Sequence, residues 1–129
     1  MVTLKLNFES EKPIFIQIAD EIEEAIFVGA FEEETQIPST TEISTNLKIN
    51  PATVLKGINR LLDDEIIYKK RGVGVFVKEG AVAKITKKRR AEFYHTYIAS
   101  MIEEANKLGL SKEELISYIE EGLKEVQHG

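Results

Sequence analysis

Ser39-Thr40-Thr41-Glu42-Ile43-Ser44-Thr45-Asn46-Leu47-Lys48-Ile49-Asn50-Pro51-Ala52-Thr53-Val54-Leu55-Lys56 is the stretch that decides how this chain folds. Ser39 and Glu42 have capping-box spacing, so a short helix starts after Pro38 and runs to about Leu47. Asparagine is a good N-cap and proline is tolerated at the first helical position, so Asn50-Pro51 opens a second helix that turns Val54, Ile58, Leu61 and Leu62 inward. Only Lys48, Ile49 and Asn50 separate the two. Two short helices joined this tightly have the proportions of a helix-turn-helix, in which the second helix is the reader.

Upstream, Leu4, Leu6 and Phe8 alternate with Lys5 and Asn7, which predicts a short opening strand. Pro13 then marks the entry to a helix. Ile14, Ile18, Ile22, Ala25 and Ile26 recur at helical steps, with Asp20, Glu21, Glu23 and Glu24 opposite, up to Gly29 and the acidic turn Glu32-Glu33-Glu34. Downstream, Ile66-Ile67-Tyr68 and Val75-Phe76-Val77 read as strands joined by Lys69-Lys70-Arg71-Gly72-Val73-Gly74. That is a hairpin with three consecutive cations at or near its tip. After Gly80 a longer helical pattern runs through Ile85, Phe93, Tyr94, Tyr97, Ile98, Met101, Ile102, Ala105 and Leu108, closed by Gly109. Ser111 and Glu114 start a last helix lined by Leu115, Ile116, Ile119, Leu123 and Val126. The fold class is therefore mainly α with a small β hairpin. Residues 1–80 form a winged helix-turn-helix domain, and 81–129 form a two-helix C-terminal dimerisation tail.

The composition agrees with one small globular unit plus an appended element. The chain has 129 residues, 43% hydrophobic and 30% charged, with a mean hydropathy of −0.18. Without cysteine there is no disulfide, thiolate catalysis or thiolate metal site. Met1 to Glu11 shows no signal-peptide pattern, and no apolar run approaches the roughly 20 residues of a membrane span. The expected location is the cytoplasm, with no membrane partner. Net charge is −5, but its distribution carries more information than its sum. Residues 1–47 hold 2 basic and 10 acidic side chains, residues 48–90 hold 12 and 4, and residues 91–129 hold 3 and 8. A basic middle between acidic flanks is the footprint of one phosphate-facing surface on an otherwise soluble body. A solvated charged face accounts for the same numbers.

The reader's first turn offers Asn50, Ala52 and Thr53, small groups that fit against base edges, while Lys56 reaches phosphate or guanine and Arg60 faces outward. Ser39, Thr40 and Thr41, with the free amides of the first helix, suit a phosphate. Arg71, flanked by Lys70 and Gly72, fits a minor groove, whose negative potential attracts arginine. The bland alternatives are capping for Asn50 and edge protection for Lys69 to Arg71. Lys84, Lys87, Lys88, Arg89 and Arg90 form a further basic segment, either solvated or adding phosphate contacts.

Pro13-Ile14-Phe15-Ile16-Gln17-Ile18, Ile37-Pro38-Ser39, Asn50-Pro51-Ala52-Thr53-Val54 and Arg71-Gly72-Val73-Gly74-Val75-Phe76-Val77 occur in one order over roughly the first 80 residues. Together they resemble the DNA-binding domain of GntR-family bacterial transcription regulators. The Asn-Pro-x-Thr-Val form and the short two-helix tail resemble the YtrA subfamily. The resemblance implies a winged helix-turn-helix repressor, homodimeric through its tail, that often controls a neighbouring transporter operon. Two positions depart from the commonest pattern: Thr41 stands where family members usually carry arginine, and Asn50-Pro51 replaces Ser-Arg, as is normal for the YtrA type.

No catalytic or cofactor motif competes with this reading. His95 and His128 are too few for a histidine metal site, so no metal and no cofactor are expected. Gly72-Val73-Gly74 lacks the third glycine and the following helix of a dinucleotide fingerprint. Paired glutamates such as Glu23-Glu24 and Glu120-Glu121 sit on polar helix faces, and an enzyme is not expected. In the tail, Phe93, Tyr94, Tyr97, Ile98, Met101 and Ile102 make too wide a stripe for two helices to bury, so pairing with a second copy is the economical answer. A two-fold dimer presents two readers to a roughly palindromic double-stranded DNA operator. The same aromatics also suit enclosure of a small effector. The rival from another class is a winged-helix module that binds an acidic protein without specific DNA binding.

Overall fold

The computed structural model describes residues 4–128. In chain order it contains α1 (Ile14–Phe27), α2 (Thr40–Leu47), α3 (Pro51–Asp63), β1 (Ile67–Lys70) and β2 (Gly74–Val77). These are followed by α4 (Ala81–Phe93), a π turn (Tyr94–Ile98), α5 (Ala99–Lys107) and α6 (Lys112–His128). Residues 1–88 and 89–129 form two compact units.

The core of the first unit follows from the isoleucine period. Ile18, Ile22 and Ile26 of α1 are fully buried together with Ile43 of α2, Val54 and Leu61 of α3, Ile67, Val77 and Ile85. α1 lies so close to α3 at Gly57 that a Cβ there would stand 2.8 Å from the Phe15 carbonyl oxygen and 3.2 Å from Ile18 Cγ2. Only a residue without a side chain permits this crossing. The hairpin is antiparallel, with Ile67 opposite Val77 and Lys70 opposite Gly74.

Two sequence expectations are corrected here. No opening strand forms: Leu4 is buried in the core and Leu6 packs against it, but Phe8 is exposed. Instead of a neighbouring strand, Gln17 satisfies this backbone, accepting from the Asn7 amide at 2.8 Å and donating to the carbonyls of Asn7 at 3.0 Å and Lys12 at 2.8 Å. The long C-terminal pattern is likewise not a regular helix throughout. It passes through the π turn, where the Ala99 amide donates to the Tyr94 carbonyl five residues back.

The second unit is held by local signals. α5 ends with Gly109 in the left-handed region at φ +69; its amide donates to Asn106 O and that of Leu110 to Ala105 O, as in a Schellman ending. The Ser111–Glu114 capping box is formed in both directions at 3.1 Å. Ala105 is the one buried apolar side chain among the described residues of this unit. Among the described residues no helix is long and apolar enough to cross a membrane.

The Gly57 crossing yields a direct expectation. Gly57→Ala should force α1 and α3 apart and lower unfolding stability by about 1–3 kcal/mol in urea denaturation. An unchanged midpoint would show that the crossing has slack.

Candidate nucleic-acid interface

The first helix of the motif begins as its sequence requires. The Glu42 amide donates to Ser39 Oγ at 3.1 Å and the Ser39 amide to Glu42 Oε1 at 3.2 Å. The cap therefore uses Ser39 Oγ as an acceptor, which leaves its O–H as a donor, and puts a carboxylate beside it. Of the first-turn amides, those of Thr40 and Thr41 are left by helical geometry without an intrahelical acceptor. The turn that follows places Lys48 in the left-handed region at φ +56 and is tied by Ser44 Oγ donating to Ile49 O at 2.6 Å.

On α3, Asn50 Oδ1 accepts from the Ala52 amide at 2.8 Å, so its carbonyl caps the helix while its amide nitrogen remains a donor. Thr53 is half-buried, whereas Ala52, Lys56 and Arg60 are exposed. Lys56 Nζ lies 5.2 Å from the centre of the Phe15 ring, a cation–π contact that draws it toward α1. Opposite the buried Val54, Ile58 and Leu61, the open face of α3 consists of Ala52, Leu55, Lys56 and Asn59, at i, i+3, i+4 and i+7. Leu55 and Asn59 were absent from the candidates named above. Counting helical steps away from the buried residues is the signal that finds them. Asp63 and Asp64 border the groove at the far end of α3, so its amino-terminal half is the part suited to a polyanion.

The hairpin tip is a turn closed by the Val73 amide donating to Lys70 O at 2.9 Å, with Gly72 at φ +76. Arg71, Gly72 and Val73 are exposed there. Lys70 Nζ sits 4.8 Å over the Phe76 ring, which stacks on Tyr68 at 5.8 Å. Residues 34–37, not foreseen as a partner of the hairpin, run along β2 through a single bridge between Gln36 and Phe76, with Glu34 in the left-handed region at φ +65. Glu34 N donates to Val77 O at 2.8 Å, Val77 N to Thr35 O at 3.0 Å and Ile37 N to Val75 O at 2.9 Å. Gln36 Nε2 also reaches Val73 O at 3.1 Å, tying the tip down.

The acidic turn has a task that its sequence position hid. Glu33 accepts from the amides of Gly80 and Val82, both at 2.9 Å, and so caps α4 from 47 and 49 residues away. Glu34 accepts from the Glu79 amide at 3.0 Å and from Tyr68 Oη at 3.2 Å. The amides of Gly80 and Val82 hold the Glu33 carboxyl below its ordinary pKa. Burial, and then the charge of Glu34, push the Tyr68 phenol up. In the basic segment, Lys88 pairs with Glu23 at 3.2 Å and Lys84 donates to the Asp64 carbonyl at the end of α3, and ahead of that segment Lys78 pairs with Glu65 at 3.4 Å. These three cations have local partners that the charge count did not reveal. Among the described residues no group of histidines and carboxylates is placed to hold a metal ion. The His128 side chain lies outside the described residues.

In the second unit Phe93, Tyr94, Tyr97 and Ile102 are exposed, Tyr97 by 63%, and Ile98 and Met101 are half-buried. Phe93 and Tyr97 meet at 5.6 Å between ring centres. On α6, Ile116, Ile119, Leu123 and Val126 are exposed as well.

A three-helix core whose third helix presents an open face that carries Lys56 and Asn59, followed by a basic hairpin, is the winged helix-turn-helix of a DNA-binding regulator. The family pattern described as bacterial regulatory proteins, gntR family, matches residues 16–77. A GntR-family structure from Bacteroides thetaiotaomicron is 35% identical, with a TM-score of 0.72, over 87% of this chain and 97% of that one. The HTH-type transcriptional repressor YtrA of Bacillus subtilis (strain 168) is 26% identical over 126 residues, 98% of this chain and 96% of its own length. The fold is also shared, at 24% identity and a TM-score of 0.53 over 60% of this chain and 99% of the other, with the AraR DNA-binding domain in complex with operator ORX1. The chain belongs to the GntR family and resembles its YtrA-like members. It is a transcription regulator with a DNA-binding winged helix, and these likenesses support that reading rather than the protein-interaction module.

The Glu33 clamp gives a pH test. Because its folded pKa is lowered, the stability it contributes is complete above the ordinary carboxylate pKa and is lost as pH falls through the lowered value. Urea midpoints of the wild type should therefore drop more steeply on acidification through the carboxylate range than those of Glu33→Gln. Parallel curves would remove Glu33 from that role.

Proposed function

We propose that this chain is a cytoplasmic repressor that binds a roughly palindromic operator as a homodimer, with residues 1–80 on DNA and 81–129 as the dimerising tail. Asn50, Ala52, Thr53 and Lys56 read the major groove; Ser39, Thr40, Thr41 and Arg60 hold phosphate; Lys70, Arg71 and Gly72 form the wing contact. The observation that carries this reading is the open amino-terminal face of α3, together with an exposed Arg71 at the hairpin tip. Support for the tail comes from the exposed aromatics around the π turn, Phe93, Tyr94 and Tyr97, which a second copy would cover.

Fluorescence anisotropy against duplexes from the protein's own promoter region and a scrambled control, at several salt concentrations, tests the DNA reading. Binding should favour the promoter and fall steeply with salt. Lys56→Ala and Arg71→Ala should each weaken it on the order of tenfold, and loss of a phosphate contact should reduce the salt slope by about 0.9. Equal, weak binding to both duplexes would overturn the reading.

Sedimentation tests the tail. Tyr97→Asp or Met101→Asp should convert a dimer to monomers, and a dimer that persists would move the interface elsewhere.

A further inference from the structure

The reading face of α3 has an apolar centre. Of the readers named from sequence, Lys56 leans over the Phe15 ring, Thr53 is half-buried, and the Asn50 carbonyl is occupied by the Ala52 amide. Between them stands Leu55, 48% exposed, although Val54, Ile58 and Leu61 on the other side of the same helix are each at most 2% exposed. An isolated exposed leucine is ordinary on a protein surface. This one lies three residues after Ala52 and four before Asn59, on the open face of the helix, and in the half of α3 remote from Asp63 and Asp64.

We propose that Leu55, with Ala52 one turn before it, selects thymine by packing against its 5-methyl group in the major groove. This rests on the DNA-binding reading above. The isobutyl group has no donor or acceptor, and in the major groove only thymine offers an apolar group to meet it. Cytosine would bury its amino group, and guanine its N7 and O6, against a side chain that returns no hydrogen bond, which is unfavourable. Lys56 and the other polar readers keep their roles, and the Ala52–Leu55 strip adds discrimination at one base pair of each half-site.

The test starts with duplexes that the full-length wild type enriches from a random-sequence pool. Each thymidine is then replaced in turn by deoxyuridine, which removes the methyl group and nothing else, and affinity is read by anisotropy at fixed salt. At one thymidine per half-site the replacement should weaken wild-type binding about fourfold, the worth of one buried methyl. Leu55→Ala should bind the thymidine and deoxyuridine duplexes alike. Leu55→Gln, which puts an amide at the same place, should move the preference there from thymine toward adenine. The proposal is overturned if every deoxyuridine duplex binds the wild type as well as its parent, or if Leu55→Ala keeps the full penalty. Failure to enrich any sequence would overturn the DNA-reading role itself, and this proposal with it.

Discussion

The crossing of α1 and α3 at Gly57 is the constraint on which the rest of the first unit depends. With the Phe15 carbonyl oxygen 2.8 Å from where a Cβ would stand, the backbone of α3 at Gly57 lies directly against the backbone of α1 at Phe15 and the side chain of Ile18. That proximity lets Ile18, Ile22 and Ile26 pack on Val54, Ile58 and Leu61, and it fixes the rotation of α3 about its own axis. Once the buried side of α3 is fixed, Ala52, Leu55, Lys56 and Asn59 must face outward. The same contact brings the Phe15 ring under Lys56, so the position of one reader is a by-product of how the core closes.

A second layer of constraint is carried by backbone amides and carboxylates far apart in sequence. Residues 34–37 cover one edge of the hairpin, and Glu33 and Glu34 fasten the loop ahead of α2 to the start of α4. An uncovered β edge invites pairing with other chains, so this arrangement protects the wing. Charge is divided by the same logic. Lys78, Lys84 and Lys88 answer carboxylates or the carbonyl end of α3, while Arg71 is carried out on the exposed tip. The basic middle of the sequence is thus partly structural and partly presented.

What could be read in advance was local. Ser39 with Glu42, Asn50 with Pro51, Ser111 with Glu114 and the glycine after α5 each act within a few residues, and their geometry appears as the spacing implies. Leu4, Leu6 and Phe8 show the limit of period alone: alternation marks a strand only when a partner is available, and here Gln17 takes that place. The Glu33 clamp spans 47 residues, so nothing near Glu33 announces it. The π turn hides for a different reason, since one wide turn barely disturbs a stripe of aromatics. Leu55 was legible from the buried face of its own helix, since a residue turned away from Val54, Ile58 and Leu61 must be exposed.

The outward orientation of α3 in a paired protein is tested most directly by hydroxyl-radical footprinting on the duplex that binds most tightly. Two protected patches on one face of the DNA, centred about one helical turn or a multiple of it apart, are what paired readers require. Uniform protection along the duplex, or a single patch at saturating protein, would contradict it.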